Sequence, residues 1–222
     1  MSGGREPGAT SGVIVAAEEL LRAEAAVITS ISNTAIEQLE TIAGELITLT
    51  GKIVIIGAGT SGYVARRAAH LFSVCGSPAM FLHPADALHG AVASLQPQDF
   101  LIGLSKGGRT AEVNDVIRFA KERGVHTVAL TSAERSEMSE LADQTVRLPA
   151  DDLSDPGGMI AMGSTLAASA WLDALAYVLM RAKGYDFGRV LRSHPRGAVG
   201  QTAHLPANLS HITLLDHQKG SI

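Results

Sequence analysis

Apolar runs of strand length alternate with helical patterns over most of the chain. The runs predict five strands, which we place at residues 52–56, 78–82, 100–104, 125–130 and 145–148. Between and after them, apolar residues recur every three or four positions and predict helices over 61–75, 110–123, 136–142 and 159–182. Strands that are apolar throughout are buried on both faces, so the pattern predicts an α/β fold with a doubly wound parallel sheet.

The first quarter of the chain carries a helical pattern without a strand. Apolar side chains recur at helical spacing over 13–50, and Asn33 and Thr34 are suited to cap a second helix there. We predict an N-terminal helical arm that packs on the sheet or on another subunit. Residues 1–12 resemble a flexible leader and lack the apolar stretch of a signal peptide. The expected organisation is this leader, a single domain over 13–200 and a C-terminal tail over 201–222.

Residues 159–180 form a long apolar segment with one charged side chain, Asp173. Its length would span a bilayer. Gly163, Ser164 and Ser169 dilute its hydrophobicity, and no second segment of this kind accompanies it. We therefore predict a helix that is buried in the fold or at a subunit interface, and no membrane partner.

Composition excludes several classes of protein. The 222 residues are 46% hydrophobic and 18% charged, which is typical of a globular domain rather than a disordered chain. The net charge of −4 disfavours nucleic acid as a partner, because phosphate backbones are bound by basic surfaces. Cys75 is the one cysteine, so no disulfide can form within the chain, and we predict a reducing, cytoplasmic location.

Two glycine-rich loops follow predicted strands and precede predicted helices. The first, at 57–62, reads GAGTSG, and the second, at 105–110, reads SKGGRT. Backbone N–H groups and a helix N-terminus at such a turn suit a phosphate. A dinucleotide site would also need an acidic residue at the end of the second strand, but Asp86 lies beyond Pro84. The loops therefore favour a phosphorylated small molecule, and a tight turn without a ligand remains the alternative.

Four segments together carry a family resemblance. They are GAGTSG at 57–62, HPADALHG at 83–90, SKGGRTAE at 105–112 and SHPRGAVG at 193–200. In this order they resemble the sugar isomerase (SIS) domain of arabinose-5-phosphate isomerases, and the helix at 159–180 is similar to that of 6-phospho-3-hexuloisomerases. The resemblance implies a flavodoxin-like sheet of five parallel strands, a phosphorylated monosaccharide as ligand, and no metal or organic cofactor. It also implies a homodimer or homotetramer whose sites are shared between subunits.

The resemblance also implies roles for individual residues in aldose–ketose isomerisation through an enediol. The implied catalytic residues are Glu112, His89 and His194, and the implied phosphate-binding residues are Ser61, Ser105 and Thr110. The two loops themselves add Gly59, Thr60, Lys106 and Gly107 as candidate substrate- and phosphate-binding positions. A carboxylate or an imidazole can take a proton from the carbon beside a carbonyl, and histidine suits proton transfer between neighbouring oxygens. Each residue has a plainer interpretation: Glu112 would favour a helix N-terminus without catalysis, and the histidines and Lys106 would simply be solvated.

The sequence departs from the family pattern at several points. Thr60 stands where the family has an active-site lysine, and Gly107 replaces a serine of the second loop. A family glutamate falls near Leu153, where Asp151, Asp152 or Asp155 are candidate replacements. Many relatives continue into a pair of CBS domains, whereas this sequence ends at Ile222. We therefore expect a stand-alone SIS protein. Two hypotheses follow: a sugar-phosphate isomerase, or a non-catalytic sugar-phosphate-binding regulator. SIS regulators of transcription carry a DNA-binding helix-turn-helix motif ahead of the sheet. The first 50 residues here show no such motif, which favours the enzyme.

Overall fold

A parallel sheet forms the centre of the fold. The computed structural model describes residues 11–214. The strands are β1 (Ile53–Gly57), β2 (Ala79–Phe81), β3 (Phe100–Leu104), β4 (His126–Thr131) and β5 (Gln144–Arg147). They form one five-stranded sheet in the order β2-β1-β3-β4-β5, with every neighbouring pair parallel. This confirms the predicted doubly wound sheet, with each strand end within one residue of its prediction. The order reverses between β1 and β3, which is where ligands bind in such sheets.

Helices connect the strands and cover the sheet. They are α1 (Gly12–Thr29), α2 (Asn33–Ile47), α3 (Gly59–Val74), α4 (Pro84–Leu88), α5 (Ala111–Glu122), α6 (Glu137–Leu141), α7 (Gly163–Ala182), α8 (Phe187–Ser193) and α9 (Gly197–Gly200). Short 3₁₀ turns cover Ala91–Ser94 and Pro156–Gly158. The short helices α4, α8 and α9 were not among those that periodicity predicts, because they contain too few turns to show a repeat.

The two faces of the sheet bury alternate residues of each strand. Ile53 and Ile55 of β1 belong to a core cluster with residues of α2, α3 and α7. Val54 and Ile56 belong to a second cluster with residues of α4, α5 and α6. Because successive side chains of a strand point to opposite faces, a strand covered on both sides must be apolar throughout.

The N-terminal arm consists of two helices that bury very different amounts of surface. Helix α2 places Leu39, Ile42 and Leu46 in the core, whereas Val27 is the one buried residue of α1. Ser32, rather than Asn33 or Thr34, caps α2, because its side chain accepts a hydrogen bond from the N–H of Ala35 at 3.2 Å. Helix α1 begins at Gly12, the last residue of the predicted leader, and residues 1–10 of that leader lie outside the described residues.

Helix α7 is the long helix that the sequence predicts, and it lies in the core. In residues 11–214 it is the one helix long and apolar enough to cross a membrane, and half of that stretch is buried inside the fold. Trp171 is 1% exposed, and its indole N–H donates a hydrogen bond to the Ala35 carbonyl oxygen of α2 at 2.8 Å. The packing agrees with the prediction of a buried helix.

The start of α7 differs from its prediction. The helix begins at Gly163, whereas the apolar pattern predicts a start at residue 159. Gly157 and Gly158 have φ angles of +66° and +67°, which end the preceding turn. Asp155 then accepts hydrogen bonds from the backbone N–H groups of Met162 and Ser164, at 2.7 and 3.0 Å. A carboxylate in this place satisfies N–H groups that the first turn of a helix leaves unpaired.

The chain after α7 returns along the end of that helix. The guanidinium of Arg181 donates hydrogen bonds to the carbonyl oxygen and the hydroxyl of Ser210, at 2.8 and 2.7 Å. The N–H of Phe187 donates to the side-chain oxygen of Asn208 at 3.1 Å. The part of the predicted tail at 215–222 lies outside the described residues.

Candidate functional site

The loop after β1 turns directly into α3, as its glycines predict. A Cβ on Gly57 would lie 2.8 Å from the carbonyl oxygen of Ser61, and a Cβ on Gly62 would lie 2.8 Å from the carbonyl oxygen of Gly57. Gly59 has a φ of +54°, a conformation that side chains disfavour. These glycines let the first turn of α3 pack against the end of β1. Ser61 is thereby placed at the carboxyl edge of the sheet, beside a helix N-terminus that favours negative charge.

The loop after β3 is held by hydrogen bonds between its own residues. Ser105 is buried, and its hydroxyl oxygen lies 2.9 Å from the hydroxyl oxygen of Thr110. Gly108 has a φ of +61°, and its N–H donates to the Ser105 carbonyl oxygen at 3.1 Å. A Cβ on Gly108 would lie 2.1 Å from the hydroxyl oxygen of Ser136. The loop can therefore follow this path only with glycine at position 108.

The same loop is tied to the end of β4. The carbonyl oxygen of Lys106 accepts hydrogen bonds from the Thr131 hydroxyl and from the Ser132 N–H, both at 2.9 Å. These bonds bring the hydroxyl groups that follow β4 next to those that follow β3.

A small cavity lies where these loops meet the start of α7. Its volume is 20 Å³, room for about one water molecule. Its polar lining residues are Ser61, Ser105, Lys106, Thr131, Ser132, Ser164 and Thr165. One cation and several hydroxyl groups form a lining that suits an oxyanion. Across residues 11–214 there is no group of three or more His, Cys, Asp or Glu side chains placed to hold a metal ion.

Lys106 forms an ion pair with a buried carboxylate at the edge of the cavity. Its Nζ lies 2.7 Å from Oδ2 of Asp155 and donates a hydrogen bond to the carbonyl oxygen of Gly158 at 2.9 Å. The side chain of Asp155 is 0% exposed, while that of Lys106 is 30% exposed. The pair therefore joins the loop after β3 to the segment that begins α7.

The pKa of Asp155 is lower than that of an ordinary aspartate. Burial by itself raises this pKa, because it disfavours the charged form. Lys106, the nearby Ser164 side chain and the backbone N–H groups of Ser164 and Met162 together outweigh burial and lower it. The carboxylate is thus charged at neutral pH although its side chain is 0% exposed.

The structure brings together only part of the predicted site. Ser61, Ser105 and Lys106 line the cavity, and Thr110 reaches it through Ser105. Thr60 and Gly107 are exposed on the two loops. Gly59 lines a separate cavity, of 210 Å³, whose other lining residues are Gly62, Tyr63, Arg66, Phe81 and His83.

The predicted catalytic residues lie outside the small cavity in this single chain. Glu112 is exposed in the first turn of α5, and His89 is exposed just after α4, a helix that packs against α5. His194 follows α8, where its Nδ1 lies 2.8 Å from the carbonyl oxygen of Val190 and 3.1 Å from the hydroxyl oxygen of Ser193. The contacts of His194 are thus local to its own helix.

Sequence reasoning missed the contributions of β4 and α7 to the cavity. Thr131 and Ser132 end a strand, and Ser164 and Thr165 begin a helix, but neither pair stands next to a glycine-rich loop. A signal existed for the first pair, since polar residues at the carboxyl end of a parallel strand are candidates for ligand contact. Ser164 stood out in the sequence only as a polar residue that dilutes the hydrophobicity of its helix, which does not point to a ligand.

Comparison with known proteins shows the family to which the chain belongs. A family model described as the SIS domain matches residues 46–177. This chain belongs to the SIS domain family. The match covers every strand of the sheet, both glycine-rich loops and most of α7.

Curated relatives of this SIS protein include the arabinose 5-phosphate isomerase KdsD of Escherichia coli strain K12. The two are 34% identical over 158 residues, which are 71% of this chain and 48% of KdsD. The arabinose 5-phosphate isomerase GutQ of Salmonella typhi is 30% identical over 162 residues, which are 73% of this chain and 50% of GutQ. The chain thus spans about half the length of the curated relatives it matches.

A solved structure covers the SIS protein more completely. A Listeria monocytogenes protein, provisionally named a sugar-phosphate isomerase, is 32% identical with a TM-score of 0.78, and the match covers 85% of this chain and 100% of that one. The relatives therefore place this chain among SIS proteins related to sugar-phosphate isomerases.

Proposed function

We propose that this SIS protein is an aldose–ketose isomerase that acts on a phosphorylated monosaccharide, of the arabinose 5-phosphate type or a related phosphosugar. The observation that carries the proposal is the cavity of hydroxyl groups and one lysine at the carboxyl ends of β1, β3 and β4. Its position, at the reversal of strand order, is where this class of fold binds ligands. The relationship to sugar-phosphate isomerases supports the same ligand class. We take residues 13–200 as the catalytic domain.

In this proposal the phosphoryl group of the sugar lies against the two glycine-rich loops. Ser61, Ser105 and Thr110 supply hydroxyl donors, and Lys106, whose charge is balanced by Asp155, supplies an N–H donor. Gly59, Thr60 and Gly107 are the loop positions whose backbone or side chain borders the same ligand. Hydrogen bonds between charged and polar groups of this kind are stronger than those between neutral groups.

The isomerisation requires a base and a group that moves protons between oxygens. Glu112 takes the proton from the carbon beside the carbonyl, and the electron pair left behind forms the enediol. His89 or His194 moves a proton between O1 and O2, and return of the proton to the other carbon completes the aldose–ketose exchange. Catalysis by such groups contributes about 10²–10⁴-fold in rate. No atoms are gained or lost, and no oxidant or reductant is consumed.

We also propose that the site is completed in a homodimer or homotetramer. Val13 and Leu21 of α1 are 78% and 64% exposed, and Met159, just before α7, is 89% exposed. Exposed apolar side chains in such numbers are typical of a surface that pairs with another chain. A neighbouring subunit would bring further residues to the cavity, and its His194 would be one of them.

Proton exchange tests the proposed function directly. The protein is incubated in D2O with arabinose 5-phosphate, ribulose 5-phosphate and hexulose 6-phosphates, and deuterium at C1 and C2 is followed by proton NMR. Deuterium uptake with formation of the isomer is expected for one member of the panel. Binding of a phosphosugar without exchange would instead favour a non-catalytic regulator, and Thr60 in place of the family lysine would account for it.

The variant Glu112→Gln tests the catalytic assignment. It keeps the shape of the side chain but removes its basicity, so we expect a loss of about 10²-fold or more in turnover. Glu122→Gln is the matched control, because Glu122 is an exposed glutamate at the other end of the same helix. Equal turnover in the two variants would contradict the role of Glu112.

A further inference from the structure

Ser164, in the first turn of α7, lines the cavity with a buried hydroxyl group. The residue is 6% exposed, and it lines the same cavity as residues from two other parts of the chain, Ser61 and Ser105. It comes from a helix to which the proposed function assigns no role. In the sequence, Ser164 is one of several polar residues within an apolar segment, and nothing there indicates a ligand contact.

The hydroxyl group of Ser164 lacks a hydrogen-bond partner within residues 11–214. Its neighbours on α7 differ in this respect. The Thr165 hydroxyl donates to the Met162 carbonyl oxygen at 2.6 Å, and the Ser169 hydroxyl donates to the Thr165 carbonyl oxygen at 2.8 Å. Buried hydroxyl groups are nearly always paired, and this one stands at a cavity wall. A ligand in the cavity would supply its partner.

The Asp155 carboxylate lies near Ser164 but does not take this role. Its Oδ1 accepts the backbone N–H groups of Met162 and Ser164, and its Oδ2 contacts Lys106 at 2.7 Å. The Ser164 side chain is close enough to help lower the pKa of Asp155, yet it stands outside hydrogen-bond geometry. Oδ1 already accepts two N–H groups, and Oδ2 contacts Lys106 as an ion pair without a hydrogen bond within residues 11–214. The Ser164 hydroxyl makes no hydrogen bond to either oxygen, so its proton can point into the cavity.

We propose that the Ser164 hydroxyl donates a hydrogen bond to an oxyanion of the ligand, which makes the first turn of α7 a third wall of the phosphoryl subsite. The other two walls are the loops that carry Ser61 and Ser105. The Asp155 carboxylate already occupies the N–H groups of Met162 and Ser164 at the N-terminus of α7, so the contribution proposed for this helix is the Ser164 hydroxyl alone. The proposed function is needed only to name the natural ligand as a sugar phosphate. Oxyanion binding itself does not depend on turnover.

The variant Ser164→Ala tests this assignment, with inorganic phosphate as the probe. Phosphate affinity is measured by calorimetry, and the thermal unfolding midpoint is measured without phosphate. We expect Ser164→Ala to bind phosphate about tenfold more weakly, because a hydrogen bond to a charged group is lost. We expect its unfolding midpoint to stay close to that of the wild type, because the deleted hydroxyl makes no hydrogen bond within residues 11–214 and is only one of several groups that lower the pKa of Asp155.

Ser169→Ala is the matched control on the same helix. Its hydroxyl is already bonded within the helix, so we expect phosphate affinity equal to that of the wild type. Three results would overturn the proposal: wild-type phosphate affinity in Ser164→Ala, a larger drop in midpoint for Ser164→Ala than for Ser169→Ala, or no saturable phosphate binding by the wild type. Isomerase activity is recorded separately. If the wild type shows no turnover while Ser164→Ala loses phosphate binding, only the proposed function is contradicted.

Discussion

Replacing Lys106 by methionine isolates the contribution of the buried ion pair. Methionine keeps the length and apolar stem of the side chain but removes the ammonium that lies 2.7 Å from Asp155. The Asp155 carboxylate stays in place, 0% exposed, with the backbone N–H groups of Met162 and Ser164 as its remaining donors.

The expected loss of stability follows from this geometry. Removing one partner of a buried ion pair costs about 3–5 kcal/mol when the other charge is left without compensation. Two backbone donors remain here, and the Lys106 side chain is 30% exposed, so water already screens part of the attraction. We therefore expect the free energy of unfolding to fall by about 2 kcal/mol at neutral pH. For a chain of this length that is roughly 4–8 °C in Tm.

The loss should depend on pH. The low pKa of Asp155 in the folded wild type means that its carboxylate stabilises the fold above the pKa of the unfolded chain. This contribution disappears as pH falls through the folded pKa. In Lys106→Met the ammonium is gone while burial still raises the pKa, so the carboxyl takes up a proton more readily. The difference between variant and wild type should therefore shrink as pH is lowered from 7 towards 4.

Thermal unfolding at fixed protein concentration and several pH values measures this difference. The double variant Lys106→Met with Asp155→Asn should be more stable at pH 7 than Lys106→Met alone, because no charge is then left buried. Lys121→Met is the control, since Lys121 pairs with Asp143 at 3.0 Å with both side chains more exposed, and we expect a loss below about 1 kcal/mol. A deficit in Lys106→Met that is constant with pH, and unchanged by Asp155→Asn, would refute the reasoning.

Two further predictions concern the second glycine-rich loop and the arm. Gly108→Ala should lower the unfolding free energy by about 2 kcal/mol or more in chemical denaturation, because a Cβ would lie 2.1 Å from the Ser136 hydroxyl oxygen at a φ of +61°. Gly107→Ala, where nothing lies within 4 Å of the added carbon, should be close to wild type; similar losses in both would contradict the steric argument. Light scattering at micromolar concentration should give the mass of a dimer or tetramer, because α1 exposes Val13 and Leu21, and a monomer mass would contradict the proposed assembly.

The strands could be predicted because their sequences leave little alternative. Runs such as Ile53–Ile56 are apolar without interruption, and glycine or proline stands close to their ends. The start of α7 could not be predicted in this way. Residues 159–162 are apolar enough to continue the helix, but the Asp155 carboxylate binds the N–H of Met162 and Ser164 and fixes the helix start there. Such a cap is a tertiary contact that periodicity does not encode.

In the candidate site too, residues in local motifs could be predicted from the sequence, whereas contacts between distant segments could not. Ser61, Ser105 and Lys106 stand in loops whose glycines mark them, and the structure places all three at one cavity. The partnership of Lys106 with Asp155 joins positions far apart in the chain, and sequence reasoning could name Asp155 only as one of three neighbouring acids. The positions of Glu112, His89 and His194 relative to a substrate stay predictions, because they depend on the subunit arrangement that we propose.

The close backbone contacts at Gly57 and Gly62 determine which positions of the first glycine-rich loop can change. Backbone contacts hold the ends of the turn with no room for a side chain at either position. Thr60 between them is exposed, so its identity is not constrained by packing. Packing would therefore allow another side chain at position 60, such as the lysine of the arabinose-type pattern, without rebuilding the turn. The two glycines thus fix the path of the turn, whereas the side chain at position 60 can change independently of that path.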